Sequence, residues 1–192
     1  WKFFERSGVQ GIQFIVQIIL ARLLSPESYG LIALVSIFIL FANIFVQSGF
    51  NTALIQKKDS DQLDFSSVFY LSLSISIALY AILYMCAPLI GNFYNNMQLV
   101  SVIRVLSITL FLGSIISIQN AYIAKKLLFR KLFFSSIGAL VVSGLLGVIS
   151  AYAGLGVWAL VIQQLSNQLV VLVILWKTVE WRPTLQFSFT RL

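Results

Sequence analysis

The chain has 192 residues, of which 59% are hydrophobic and only 10% are charged, with a formal net charge of +7. Because a water-soluble domain carries about 25% charged residues, this composition excludes an ordinary soluble fold and favours an integral membrane protein. Histidine is absent and the single cysteine, Cys86, lies within an apolar run, so neither a metal cluster nor a disulfide framework is expected. The basic residues lie in short gaps between apolar runs, a pattern typical of membrane orientation rather than of nucleic-acid binding.

Along the chain, six apolar runs are long enough to cross the hydrocarbon core of a bilayer, which needs about 20 helical residues. The second run follows Ser25, Pro26 and Glu27, where a capping residue ahead of a proline is typical of a helix start. Polar and glycine-containing turns separate the later runs. The sequence therefore predicts an all-α, integral membrane bundle of six helices with spans at residues 8–24, 28–50, 66–90, 100–122, 135–153 and 156–177.

The lysines and arginines predict the orientation of this bundle. With the N-terminus on the cytoplasmic side, eleven of the 13 fall in cytoplasmic segments, and only Arg22 and Arg104 fall on the outer side. Positive charge accumulates in the cytoplasmic loops of membrane proteins, so both ends of the chain are predicted to be cytoplasmic. The inner loop 124–134 alternates four cations with aromatic and aliphatic residues, which predicts an anchor on anionic lipid headgroups or a contact with a partner protein.

The acidic residues lie only in loops and at predicted helix ends. A carboxylate in the middle of a span is the usual basis of an ion-coupled site, and this sequence has none there. It also lacks the paired carboxylates, or the histidine and cysteine clusters, that a membrane-embedded hydrolase needs. We therefore expect no catalytic residues, no metal ligands and no cofactor.

Uncharged amides form polar faces on the first, second and sixth predicted helices. Gln10, Gln13 and Gln17, for example, fall within about 60° of one another on a helix with 3.6 residues per turn. An amide in hydrocarbon is costly unless it is paired, so such a face must point at protein or at a water-filled cavity. Interhelical hydrogen bonding would satisfy single residues, but three such faces favour a hydrated cavity. The residues predicted to share that cavity are Gln13, Gln17, Asn43, Gln47, Gln163 and Asn167, and Gln10 is a further candidate for substrate binding.

Two arginines fall on the predicted outer side. Arg104 lies about four residues inside its span, and Arg22 lies near the end of the first span. Either side chain could extend to the membrane surface, as long basic side chains do. The alternative is that they line a cavity and hold a phosphate group of the substrate.

The fifth predicted helix carries a stripe of small residues. Ala139, Ser143 and Gly147 recur every four residues, with Gly144 beside them. Such a stripe allows close approach of two helix backbones. It predicts helix packing and no site.

Four stretches of the chain resemble bacterial polysaccharide-biosynthesis flippases. They are ARLLSPESYGLIALV (21–35), GFNTALIQKKD (49–59), AGLGVWALVIQQL (153–165) and WRPTLQFS (181–188). The similarity extends over essentially the whole chain and preserves the order and spacing of the helices. The family it resembles comprises the Wzx-type and colanic-acid-exporter-like members of the multidrug/oligosaccharidyl-lipid/polysaccharide superfamily.

The resemblance implies a transporter fold of two six-helix lobes that face each other across a central cavity. Residues 1–192 would then form the N-terminal lobe, with the C-terminal lobe of the same protein as its partner. The implied substrate is a short oligosaccharide on undecaprenyl pyrophosphate. It would be flipped across the bacterial inner membrane by alternating access, for assembly of O-antigen or exopolysaccharide. A polysaccharide polymerase complex is a further expected partner.

Other functions stay open as alternatives. Within the same superfamily these are a lipid II flippase and a drug antiporter, although such antiporters often carry an intramembrane carboxylate in the first lobe. A non-transporting scaffold of a polysaccharide assembly complex would use loop 124–134 for docking. A membrane glycosyl- or acyltransferase would need an acidic base near the membrane surface, for which the candidates are Asp59, Asp61 and Asp64.

Overall fold

The computed structural model of the chain describes residues 2–47, 54 and 61–184. All regular secondary structure within these ranges is α-helical, as the apolar runs predict. The helices are α1 (Lys2–Leu23), α2 (Pro26–Gln47), α3 (Gln62–Phe93), α4 (Met97–Leu106), α5 (Thr109–Lys125), α6 (Phe129–Tyr152) and α7 (Val157–Thr178).

Five stretches of this part of the chain are long and apolar enough to cross a membrane, and α1 contains a sixth, shorter apolar stretch. Each lies over one of the predicted spans, and the prediction of an all-α membrane bundle is confirmed. The longest helix is α3, whose 32 residues project beyond a hydrocarbon core of about 30 Å. The stretches are Gly8–Leu23, Pro26–Val46, Gln62–Phe93, Met97–Lys125, Arg130–Tyr152 and Val157–Thr178.

A turn between α4 and α5 interrupts the helix predicted over residues 100–122. Beside this turn the Ser107 hydroxyl donates to the Ile103 carbonyl at 2.7 Å, and the Thr109 hydroxyl donates to the Leu106 carbonyl at 2.5 Å. Hydroxyl side chains that bond to carbonyls of the preceding turn compete with the helical pattern and often bend a helix. Neither proline nor glycine marks the turn in the sequence, so the periodicity of the apolar residues did not predict it.

The central helix of the bundle is α7. It packs most extensively against α6 and also contacts α2, α4 and α5. The long helix α3 packs against α2, α4 and α5. By contrast, α1 packs chiefly against α6, so it is the most peripheral helix of the described bundle.

Two apolar clusters stabilise the bundle, one at each end. One joins the end of α1 to α2, α4 and the start of α7, with Leu20, Val35 and Ile103 fully or almost fully buried in it. The other lies at the opposite end and centres on Trp181, whose ring lies 6.0 Å from that of Phe65. We call this second end the basic end, because it carries Lys125, Lys126, Arg130, Lys131, Lys177 and Arg182.

Three helices end in the same kind of turn, in which one residue has a positive φ angle. These residues are Asn95 after α3, Leu127 after α5 and Gly154 after α6, with φ angles of 50°, 55° and 76°. In each turn the next amide N–H donates to the carbonyl five residues back, as in the Schellman motif. Glycine and asparagine are the usual residues at this position because they tolerate the left-handed conformation. Leucine at the end of α5 departs from that rule.

Candidate functional site

A cavity of about 450 Å³ lies midway along the helices, between the two apolar clusters. Helices α1, α6 and α7 form most of its wall, and Ile39 of α2 and Thr109 of α5 complete it. Most of the side chains that line it are amides and hydroxyls, and we therefore call it the amide cavity. Its polar residues are Gln13, Gln17, Thr109, Ser136, Ser143, Gln163, Gln164, Asn167 and Gln168.

Helix α7 supplies four of the amides, because Gln163, Gln164, Asn167 and Gln168 fall on one side of a helix at the spacing of a single turn. Gly147 of α6 lets the two helices approach closely, since a Cβ at this position would lie 3.0 Å from the Cβ of Gln163. The small-residue stripe of α6 thus serves packing, as its spacing predicts. The close approach at Gly147 also positions Gln163 of α7 at the cavity wall.

A hydrogen bond joins α6 to α7 inside the wall. The Asn167 Nδ2 donates to the Ser143 Oγ at 3.1 Å, and the Ser143 Oγ donates to the Leu140 carbonyl of its own helix, 3.3 Å away. Nearby, the Gln168 Oε1 is buried and accepts no hydrogen bond within the described ranges.

Gln13 and Gln17 form the α1 side of the amide cavity. Both side chains are exposed, so the cavity is open where α1 borders it. At Gly144 of α6 an added Cβ would lie 2.8 Å from the Val16 Cγ2, so α1 and α6 are in close contact beside the opening. Amides in the middle of a span cannot be left facing acyl chains without a cost of several kcal/mol each. The open side must therefore face water or another protein surface.

Three other amides were predicted to bind substrate. Gln10 is exposed on α1 and is not among the residues that line the amide cavity. Asn43 is half-buried on α2, where its Oδ1 lies 3.6 Å from the position that a Cβ of Gly113 would take. The side chain of Gln47 lies outside the described residues. The structure thus brings the amide faces of α1 and α7 together and directs Asn43 towards α5.

Neither arginine of the predicted outer side lines the amide cavity. The Arg104 guanidinium carbon lies 4.2 Å from the centre of the Tyr84 ring, which places the cation over an aromatic face of α3. Its Nε is buried and has no hydrogen-bond partner within the described ranges. Arg22 is exposed near the end of α1. A role for either side chain in holding phosphate stays a prediction.

The aspartates considered as a catalytic base lie at the start of α3. The Asp64 Oδ2 accepts a hydrogen bond from the Asp61 backbone N–H at 3.0 Å, within a capping box. This arrangement satisfies backbone groups that a helix start leaves unpaired. Asp61 and Asp64 therefore have a structural role, and Asp59 lies outside the described residues.

A comparison with protein-family models matches residues 19–192 to the family described as polysaccharide biosynthesis protein. The chain belongs to this family. The family resemblance seen in the sequence is thereby confirmed. Its apolar helices and its membership of the polysaccharide biosynthesis proteins make the chain a multi-pass membrane protein.

Three curated proteins whose names place them in polysaccharide biosynthesis are similar to this chain. The succinoglycan biosynthesis transport protein ExoT of Rhizobium meliloti (strain 1021) is 25% identical over 196 residues, covering 100% of this chain and 39% of that protein. The teichuronic acid biosynthesis protein TuaB of Bacillus subtilis (strain 168) is 28% identical, covering 77% of this chain and 31% of that protein. The lipopolysaccharide biosynthesis protein WzxC of Escherichia coli (strain K12) is 23% identical, covering 76% of this chain and 29% of that protein.

The chain therefore spans less than half the length of these curated relatives. A comparison with the solved structures gives no significant match.

Several residues of the amide cavity were not among the predicted site residues. Gln164 and Gln168 belong to the polar stripe of α7, and the α-helical period alone would have added them. Ser136, Ser143 and Thr109 carried no such signal, because serine and threonine in an apolar helix usually bond to their own backbone. Only the packing of α5 and α6 around α7 shows that these hydroxyls reach the cavity.

Proposed function

We propose that the chain forms one six-helix lobe of a transporter that moves lipid-linked oligosaccharide units across the bacterial inner membrane by alternating access. The observation that carries this proposal is the amide cavity, which is polar, lies at mid-height in the bundle and is open on the side of α1. Membership of the polysaccharide biosynthesis proteins supports a substrate from polysaccharide assembly. ExoT, the relative that covers the whole chain, is named as a transport protein.

The chemistry of the cavity suits the headgroup of such a substrate. A sugar carries many hydroxyl groups, each of which both donates and accepts hydrogen bonds. The side chains of Gln13, Gln17 and Gln164 also do both, and they are exposed towards the open side. A carboxylate only accepts hydrogen bonds and a lysine only donates them, so each would favour one arrangement of the sugar hydroxyls. Amides do both and therefore accommodate different sugars. The wall is therefore adapted to bind a polar, hydroxyl-rich group loosely and to release it.

The same arrangement explains why a protein is needed. Carrying a charged, sugar-bearing headgroup through about 30 Å of hydrocarbon without help would cost a prohibitive free energy. In an open-sided cavity the headgroup passes through a polar region while the undecaprenyl tail stays in the bilayer. The matched part is 39% of ExoT, so that relative is long enough for a second lobe, and such a lobe of the full-length protein would face the open side.

The orientation proposed for the lobe places both ends of the chain in the cytoplasm. Among the residues whose side chains the structure describes, six lysines and arginines lie at the basic end, whereas Arg22 and Arg104 lie towards the other. The positive-inside rule then assigns the basic end to the cytoplasmic side. The amide cavity would receive the undecaprenyl pyrophosphate-linked unit from that side and release it on the other.

The experiment that tests the proposal is complementation with the full-length protein in a strain that lacks its own polysaccharide flippase. Gln17→Leu together with Gln163→Leu removes amides from two sides of the cavity while nearly conserving side-chain volume. We expect surface polysaccharide to fall at least about tenfold, since two lost hydrogen bonds are worth about 1.4 kcal/mol or more. The undecaprenyl-linked unit should accumulate in the cytoplasmic leaflet.

Gln98→Leu is the matched control. Gln98 is exposed in the first turn of α4, so this substitution makes the same chemical change outside the cavity. Its export should equal that of the wild type. Wild-type export in the double variant, at equal membrane abundance, would show that the amide cavity is not the path of the substrate.

A further inference from the structure

A second cavity, of about 310 Å³, lies at the basic end of the bundle. It is lined by Tyr122 at the end of α5, by Lys126 and Leu128 in the turn that follows, by Lys131 in α6 and by Glu180 after α7. It shares no lining residue with the amide cavity. The function proposed above does not use it.

The charge around this cavity favours an anion. The Lys131 Nζ donates to the Thr178 carbonyl at 2.5 Å, which uses one of its three N–H groups and leaves two for a ligand. Lys126 is exposed at the mouth. Glu180 is the one carboxylate in the lining and is outnumbered by the two lysines. Arg130 and Lys177 add positive charge at the same end.

The turn beside the cavity has a leucine where the backbone favours glycine. Leu127 takes a φ angle of 55°, the conformation that Asn95 and Gly154 take in the two equivalent turns. In this conformation the Cβ of an ordinary residue crowds the backbone, so a leucine there is strained. The side chain is also 72% exposed, so packing within the described chain does not compensate for the strain.

Other exposed apolar groups surround the same lysines. Phe134 is exposed on α6, with the Arg130 guanidinium carbon 5.7 Å from the centre of its ring. Leu128 is exposed in the turn itself. A soluble anion would leave these side chains in water, whereas the acyl chains next to a lipid headgroup would cover them. The pattern of cations beside projecting apolar side chains is that of a membrane-surface anchor.

We propose that the basic end is a binding site for the phosphate headgroup of an anionic membrane lipid. Lys126 and Lys131 hold the phosphate in the cavity, and Leu127 and Phe134 insert among the acyl chains beside it. The strained turn fixes Leu127 in the direction of the bilayer. Because the Lys131 Nζ also donates to the Thr178 carbonyl, the bound phosphate would lie beside the end of α7.

The test is a titration of phosphatidylglycerol into the protein in a neutral detergent. The melting temperature of the protein is measured at each lipid concentration. We expect the melting temperature to rise with phosphatidylglycerol and not with phosphatidylcholine at the same concentration. The Lys126→Gln variant should need about fivefold more phosphatidylglycerol for the same rise, as expected for one basic residue at an anionic surface. Lys177→Gln removes a charge from the same end outside the cavity, so its response should be closer to that of the wild type than the response of Lys126→Gln is.

Glycerol phosphate provides the third arm of the titration, because it carries the charge without the acyl chains. An equal rise with glycerol phosphate would overturn the assignment to a lipid, and so would an equal rise with phosphatidylcholine. An unchanged phosphatidylglycerol response in Lys126→Gln would overturn the location. No response to any lipid would refute the site, and a contact with a partner protein would then be the remaining interpretation of this surface.

A second variant separates the role of Leu127 from a loss of folding. Leu127→Gly relieves the left-handed strain, so the variant without lipid should melt at a higher temperature than the wild type. Its response to phosphatidylglycerol should nevertheless be weaker, because the inserted side chain is gone. Asn95→Gly makes a comparable change in the equivalent turn at the other end and should leave the lipid response unchanged. A full response in Leu127→Gly would show that the leucine does not insert.

Discussion

The side-chain amide of Asn167 donates to the hydroxyl of Ser143 at 3.1 Å, and this bond crosses from α7 to α6 inside the wall of the amide cavity. Both residues lie near the middle of their helices, far from the aqueous ends. A polar contact at this depth has two consequences. It stabilises the pair of helices, and it leaves the Asn167 Oδ1 free of that bond to meet a ligand.

The first prediction concerns the strength of this bond. Ser143→Ala should lower the free energy of unfolding by about 0.6 kcal/mol and by no more than about 2 kcal/mol, the range measured for hydrogen bonds between membrane helices. Thermal unfolding in detergent would measure the loss. Ser74→Ala is the control, because the Ser74 hydroxyl donates only to the Tyr70 carbonyl of its own helix at 2.8 Å. An equal loss in both variants would contradict an interhelical contribution.

Close packing at Gly147 leads to a second prediction. Gly147→Val adds a branched side chain where even a Cβ would lie 3.0 Å from the Gln163 Cβ, so α6 and α7 must separate or Gln163 must turn. Overpacking of this kind costs about 1–3 kcal/mol, and we expect a lower melting temperature together with reduced export. At Gly30 no atom lies within 4 Å of an added Cβ, so Gly30→Val should change the melting temperature little.

A third prediction follows from Gln119 of α5. Its side chain is 0% exposed, and neither its Nε2 nor its Oε1 forms a hydrogen bond within the described ranges. A buried amide without partners costs about 1–3 kcal/mol, so Gln119→Leu should raise the melting temperature. Gln62 provides the contrast, because its Nε2 donates to the Arg182 carbonyl at 2.6 Å and Gln62→Leu loses that bond. A fall in melting temperature for Gln119→Leu would mean that the amide has a partner in the membrane.

The contact between Arg104 and Tyr84 can be tested with a double-mutant cycle. The guanidinium over the ring should be worth about 0.5–2 kcal/mol, so Tyr84→Leu and Arg104→Met should each lose that contribution to the free energy of unfolding. Because both changes remove the same contact, the double variant should be little worse than either single one. Strictly additive losses would show that the two side chains act separately. Measured alongside, export by Arg104→Ala tests the predicted phosphate role.

Much of the fold could be predicted because the bilayer imposes simple rules. A helix that crosses hydrocarbon must be long and apolar; five of the six runs meet both conditions in the described part of the chain, and the run in α1 is apolar but shorter. The break between α4 and α5 did not follow from those rules. It depends on the hydrogen bonds that the hydroxyls of Ser107 and Thr109 donate to backbone carbonyls of the preceding turn. The sequence does not distinguish a serine that bends a helix in this way from one that does not.

The site was harder to predict than the fold, for a geometric reason. Helical periodicity shows that Gln13 and Gln17 share a face, and that Gln163 and Asn167 share another. It does not show which helix each face meets. That depends on side-chain packing, which brings α1 and α7 together around α6 and turns Asn43 towards Gly113. Substrate binding by these residues remains to be tested by the export assay.

The peripheral position of α1 has a consequence for how the protein is made. Its main neighbour is α6, so α1 is synthesised well before its partner helix Phe129–Tyr152 has left the ribosome. At about 5–20 residues per second, that delay is on the order of ten seconds. Throughout it, Gln13 and Gln17 have no amide cavity to face, because α6 and α7 do not yet exist. We therefore expect α1 to stay beside the insertion machinery or at the membrane surface until α6 and α7 have been made.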